Sequence, residues 1–322
     1  MNILITGGAG FIGTKLAQAL LKRTDVNKIT LVDIQDSVLI GEDPRLQSIK
    51  IDMTTQAGVD QAITSEITHV FHLAAIVSSH AEADFDLGMM VNLKSTQLLL
   101  EKCRQTNPNI RFVFSSSLAV FGGSLPEEIM PMTATHPSSS YGTQKAIGEL
   151  LVNDYARKGL VDAVTVRLPT ISIRPGKPNK AASSFVSGII REPLNSEQSN
   201  CPVKPDLKLW ISSPEKVTEN ILHAGMLESS QLSQLSFRTL NLPGIQVTPS
   251  EMIATLDRLT GRSLSSYISF ESDPQVSQIV SSWPQQINND IELNMGFRAD
   301  TSFTEILNAF ITNEINQEEC VL

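Results

Sequence analysis

The sequence predicts an α/β protein built on a doubly wound parallel sheet. Three observations carry that expectation: the spacing of its apolar runs, a glycine-rich strand-to-helix turn at its start, and a change of texture after Arg167. The runs fall at Ile3 to Ile5, Ile29 to Val32, Ile49 to Ile51, Val70 to Leu73, Phe112 to Phe114 and Val164 to Val166. Helix-like segments separate them, which is the rhythm of parallel strands joined by crossover helices. Residues 1–172 would form this domain. Beyond it, Pro169, Pro175, Pro178 and Pro193 interrupt a polar stretch, and Val217 to Met226 and Ser250 to Leu259 have helical spacing without strand alternation. A smaller, mostly helical C-terminal region is expected over 173–212 and 243–322, laid over the end of the sheet. Phe237 to Leu242 reads as one more strand, so a segment at about 213–242 would return to the first domain.

The first run leads into Thr6-Gly-Gly-Ala-Gly-Phe-Ile-Gly13, after which Leu16, Ala17, Leu20 and Leu21 recur at helical spacing. Gly7, Gly10 and Gly13 therefore sit where a strand becomes a helix, with Phe11 and Ile12 in the same turn. Glycine there lets backbone N–H groups approach a pyrophosphate, and the helix N-terminus favours its negative charge. Asp33 closes the second run twenty residues beyond Gly13, where a carboxylate accepts hydrogen bonds from adenosine ribose hydroxyls. No Arg follows it closely, which favours NAD over NADP. This is the Rossmann pattern of dinucleotide binding. Asp52 and Met53 close the third run and could meet the adenine edge, a plain turn acid being the alternative. The fourth ends in His72-Leu-Ala-Ala75, where Leu73, Ala74 and Ala75 would let the cofactor lie close. His72 reads as a core or supporting histidine, since no Cys, Asp or Glu stands at ligand spacing.

Tyr141-Gly-Thr-Gln-Lys145 is the second strong signal. Ser138 to Ser140 offer N-cap hydroxyls, Ile147, Leu150 and Leu151 supply an apolar stripe, and Gly159 follows Arg157 and Lys158 as a stop. On that helix Tyr141 and Lys145 share a face. A phenol is a poor base at neutral pH until a nearby ammonium stabilises its anion. The preceding strand ends in Ser115-Ser116-Ser117, whose hydroxyls can hold a substrate oxygen opposite the tyrosine.

Composition sets limits. At 41% hydrophobic residues the chain is an ordinary globular one, and its net charge of −9 argues against nucleic acid or an anionic membrane as partner. No apolar stretch approaches a membrane span, and the first strand begins at residue 2, so a cytoplasmic protein is expected. Cys103, Cys201 and Cys320 are scattered, indicating neither a disulfide framework nor a metal site.

With these motifs in order, the chain resembles the extended short-chain dehydrogenase/reductase family, which includes nucleotide-sugar epimerases and dehydratases. The resemblance covers about residues 1 to 175, through the glycine loop, Asp33, His72 to Ala75, Asn92, Phe114 to Ser117, Val120 to Gly122, Tyr141 to Lys145 and Arg167. It implies Tyr141 as acid/base, Lys145 orienting the nicotinamide ribose and tuning the tyrosine, and Ser117 holding the reacting oxygen, with Ser116 as fallback. It implies that Asn92 steadies the active-site end of its helix, adds Ser115 and Pro169 to the cofactor site, and makes a homodimer through two helices a further expectation. Two departures bear on the substrate. Arg167-Leu-Pro-Thr-Ile-Ser stands where nucleotide-sugar epimerases carry an Arg-Tyr-Phe-Asn type of run, with Thr170 at the Asn. Lys208-Leu-Trp-Ile-Ser-Ser-Pro214 replaces their Arg-Asp-Phe-Ile type of segment. The stretch from Arg167 to Arg191 instead resembles the branch that oxidises small sugar acids, which implies oxidation of the C2 hydroxyl of a short aldonate such as D-erythronate.

The charge of that stretch points the same way. It holds Arg167, Arg174, Lys177, Lys180 and Arg191 and no Asp or Glu. An anion-receiving pocket follows, with Arg174 and Lys177 or Lys180 on a carboxylate; a solvated basic loop with Arg167 paired internally is the alternative. Ser78, with Ser79, His80, Ser183 and Ser184, would add hydroxyl contacts to a polyol. Trp210 reads as a packing residue or lid anchor. Two rivals remain open: a nucleotide-sugar epimerase, and a non-catalytic NAD sensor.

Overall fold

A computed structural model describes residues 1–37 and 43–315; Cys320 lies outside them. The chain opens with β1 (Asn2–Thr6), α1 (Phe11–Leu21), β2 (Lys28–Asp33), β3 (Leu46–Lys50), α2 (Gln56–Ala62) and β4 (His69–His72). Next come α3 (Ser78–Ala83), α4 (Phe85–Gly88), a π-helical turn over Met89–Lys94 and α5 (Ser95–Thr106). Then follow β5 (Arg111–Ser117), α6 (Ser140–Arg157) and β6 (Asp162–Leu168). With β10 (Thr239–Asn241) these strands form a parallel seven-stranded sheet in the order β10-β6-β5-β4-β1-β2-β3. The order reverses between β1 and β4, and in such sheets ligands bind beyond the strand ends at that point. The central strands bury both faces, which is why they read as continuous apolar runs. β3 is an edge strand with no buried residue, and it begins three residues before the apolar run that announced it.

The chain divides into two compact units. The first comprises 1–120, 139–168 and 218–242, and the second 121–138, 169–217 and 243–322. Residues 121–138, expected with the sheet, therefore belong to the second unit, and 169–172 and 213–217 join them. Helices make up most of the regular structure of that unit, with short strands among them. It contains a three-stranded sheet of β11 (Ile245–Val247), β9 (Leu209–Ser212) and β7 (Thr170–Ile171), and a pair formed by β8 (Ser199–Asn200) and β12 (Ile268–Ser269). Strands of two to four residues leave no legible alternation. Its core gathers Val186, Ile189 and Ile190 of α7 (Ser184–Leu194) against Ile211, Met252 and Leu307. The Ser213 amide and the Ser212 and Ser213 hydroxyls donate to Asp300 at 2.6–2.9 Å. No helix among the described residues is long and apolar enough to cross a membrane.

Candidate active site

The loop after β1 is held open by its glycines. Gly7 has φ +70°, and a Cβ there would lie 2.8 Å from the Ala74 nitrogen; a Cβ on Gly13 would lie 2.3 Å from the Gly7 oxygen. Gly10 caps α1 without a side-chain hydrogen bond and no acid follows in the first turn, so the N–H groups at Phe11 to Gly13 keep a cradle for an anion. A Cβ on Gly10 would meet only the Gly7 oxygen, at 3.1 Å. Asp33 stands at the end of β2 and accepts from the Ala9 and Gln35 amides at 3.2 and 3.1 Å. This loop and acid fit the phosphates and adenosine ribose of a dinucleotide. Leu73 to Ala75 follow β4 directly, with the Ala74 amide donating to Thr6 at 3.3 Å. Asp52 behaves as a turn acid, accepting from the Thr54 amide and hydroxyl. Met53 is buried in the apolar cluster that includes Val59 and Val70.

The second half of this unit's site is organised by α6. Ser139 caps it, accepting from the Gly142 amide at 3.1 Å, and Tyr141 sits in the first turn, where the helix dipole favours an anion. The helix face turned inward carries Lys145, Gly148, Glu149, Val152 and Ala156. Of the predicted stripe, Ile147 and Leu150 point outward, at 37% and 62% exposure, while Leu151 packs against the core. The ammonium of Lys145 donates to the Ser115 carbonyl at 2.7 Å and lies 4.7 Å from the Phe114 ring centroid and 5.9 Å from that of Tyr141. Gly148 leaves room for that Phe114 ring, since a Cβ there would lie 2.8 Å from its Cζ. Tyr141 is hydrogen-bonded to Ser117.

The three serines have three roles. Ser117 meets the phenol, Ser116 donates to Glu149 at 2.5 Å, and Ser115 donates to the His72 carbonyl at 2.9 Å. The hydroxyl of Ser115 thus fastens β5 to β4, and its carbonyl positions Lys145. His72 bonds Thr6 and Thr96 through its two ring nitrogens; burial and the Lys145 charge push its pKa down to about 3, so it stays neutral. Asn92 is spent on structure. Its amide pairs both backbone groups of Ile76 and donates to Gln144 at 2.7 Å. It fastens the loop after β4 to α6.

Burial pushes the Tyr141 phenol up to about 12, the Ser117 hydrogen bond opposing it. Burial likewise pushes Lys145 down to about 7, with Glu149 opposing. Both shifts come from desolvation of the charged form. The state in which the pair holds one proton between them is the one that can accept another.

The sequence singled out neither Glu149 nor Gln144, although each stands at helical spacing from the Tyr-Lys pair. Glu149 binds Arg167 through both oxygens, at 2.9 and 2.7 Å, so Arg167 is paired internally and is withdrawn from the cationic stretch. Arg191 likewise pairs with Glu192. Arg174, Lys177 and Lys180 lie in the second unit, Arg174 half-buried and the lysines exposed. The Arg174 backbone bonds Ser187 and Arg191, and burial and Arg191 lower its pKa. Pro169 is buried in the same unit, and Ser78 is buried in the first. Trp210 is buried with its indole N–H unpartnered. Among the described residues no cluster of metal-ligating side chains occurs.

A glycine cradle ahead of a helix, an acid closing β2 and a Ser-Tyr-Lys cluster with its lysine buried define a nucleotide-dependent enzyme of the Rossmann type. The NAD dependent epimerase/dehydratase family matches residues 3–211, and the chain belongs to that family; its cofactor is NAD. It is 50% identical to D-erythronate dehydrogenase of Haemophilus influenzae over 97% of its own length and 99% of the relative's. To D-erythronate dehydrogenase of Cupriavidus necator it is 46% identical, over 97% and 98%. The crystal structure of a nucleoside-diphosphate-sugar epimerase from Agrobacterium tumefaciens superposes with a TM-score of 0.90 at 36% identity, covering 98% of this chain and 95% of that one.

Proposed function

We propose that this NAD-dependent dehydrogenase oxidises the C2 hydroxyl of D-erythronate to the 2-oxo acid. The observation that carries the reading is the near-full-length similarity to two D-erythronate dehydrogenases. The cofactor would be held by the Gly7 to Gly13 loop, by Asp33 and by Lys145. When bound, NAD supplies the hydride acceptor. Ser117 holds the substrate hydroxyl, and Tyr141, as phenolate, accepts its proton as C2 becomes a carbonyl. Lys145 stabilises that phenolate by its charge. Arg174, with Lys177 or Lys180, receives the carboxylate and so presents C2; the lack of any Asp or Glu in the sequence from Arg167 to Arg191 supports this assignment.

The reading includes a homodimer, supported by the exposed Ile147 and Leu150 of α6 and by Met90, and sedimentation of the pure protein measures it. It also places the enzyme in the cytoplasm, where the free, buried Cys103 and Cys201 stay reduced. The decisive experiment is a screen of NAD reduction across four- to six-carbon aldonates and a panel of UDP- and dTDP-sugars. Reduction with D-erythronate is expected. Its absence, with interconversion of a nucleotide sugar, would sink the substrate assignment. The similarity to the nucleoside-diphosphate-sugar epimerase structure favours that second reading, whose mark is NAD retained through purification and inversion without net cofactor turnover.

A further inference from the structure

Glu149 is almost fully buried, at 2% exposure, and has more partners than a helix-surface acid would need. Arg167 grips it through both oxygens and Ser116 donates to it. These two partners stand opposite each other in the β5–β6 register, so both strands converge on one carboxylate. That carboxylate lies one helical turn beyond Lys145 and on the same inward face of α6. Two buried ions on one helix, with a third clamping the second, are costly to desolvate. A stabilising role alone gives no reason to set them behind the Tyr-Lys pair.

We propose that Glu149 is a positioning residue which, locked by Arg167 and Ser116, favours the charged form of Lys145 behind Tyr141. The proposal rests on the reading of Tyr141 and Lys145 as the proton-transfer pair. Of the titratable neighbours, α6 supplies Tyr141 and Glu149, β6 supplies Arg167 through its pairing with Glu149, and β4 supplies His72, which is neutral. β5 contributes only the uncharged Phe114 and Ser115. From α3, Glu82 is engaged with the Ser140 amide at the head of α6, at 2.7 Å. Glu149 is the anion that opposes the cost of burying the ammonium.

The test follows the Lys145 Nζ by 15N NMR in NAD-free protein, with its signal identified by its loss in Lys145→Arg. In Glu149→Gln the midpoint of the Nζ titration is expected to fall by about one pH unit, because the anion is gone and Arg167 is left uncompensated. Glu149→Asp, which keeps the charge, is expected to restore most of the shift. In turnover, Glu149→Gln moves the acid limb of the kcat/KM profile the same way and lowers the plateau about tenfold, as fewer pairs hold the phenolate tautomer. A scaffold residue would lower the plateau and leave the limb in place. If Glu149→Gln does not fold, Glu149→Gln with Arg167→Met removes both ions together, a replacement that buried pairs often tolerate; the midpoint should then fall by less. An unchanged or higher midpoint in whichever folded variant is measured overturns the proposal. That result would stand whatever the substrate, whereas a failed aldonate screen leaves the NMR titration untouched.

Discussion

The polar groups around α6 in the first unit and the cationic stretch of the second are opposite solutions to handling charge. Behind Tyr141 every polar atom of Ser115, Ser116, His72 and Asn92 has a named protein partner, and the ions are buried. Between Pro169 and Lys180 the side chains of Lys177 and Lys180 face solvent, and Arg174 is the one half-buried cation. A satisfied network holds one geometry and is intolerant of change. An exposed cation attracts without orienting. Chemistry common to a family suits the first arrangement, and choice of substrate suits the second.

The sharpest way to break this contrast is Tyr141→Phe, which should lower kcat about 10³-fold while leaving NAD affinity intact by isothermal titration; loss of affinity instead would mean that the network serves binding. Arg174→Met should raise KM for the aldonate about 30-fold with little change in kcat, as expected when a charge-assisted contact to the ground state is removed. A kcat effect of the same size would blur the division. The pH profile probes the buried side alone. Because burial brings the first proton loss of the pair to about 7 and keeps the second near 12, kcat/KM for oxidation should fall about tenfold per unit below pH 7 and hold above it. An acid limb near pH 9 would show that Lys145 is not desolvated. Last, Lys177→Met and Lys180→Met should each change KM only about twofold, and 0.5 M salt should erase the effect.

What was legible in the sequence follows the same boundary. The glycine loop, Asp33 and Tyr141 to Lys145 announce themselves because their spacing is the chemistry, and the sheet because its central strands are buried on both faces. The inward face of α6 was hidden. It is lined by Lys145, Gly148 and Glu149, whereas periodicity pointed to Ile147, Leu150 and Leu151, of which the first two face outward and only Leu151 packs on the core. No sequence spacing reveals that Glu149 takes Arg167 out of the cationic stretch, since the two are joined through the fold rather than along the chain. Leu209 to Ser212 is a buried strand that the sequence did not announce, because it lies outside the strand–helix rhythm that marked the others.

Gly148 illustrates how the site limits attempts to improve the protein. Glycine inside an exposed helix weakens it by about 1 kcal/mol relative to alanine, so position 148 looks like an invitation to stabilise the fold by adding a methyl group. That methyl would press on the aromatic ring lying beneath the lysine. A thermostabilised variant made there would trade the seat of its ammonium for helix propensity. The softest spot in α6 is therefore one that directed evolution for stability should leave alone.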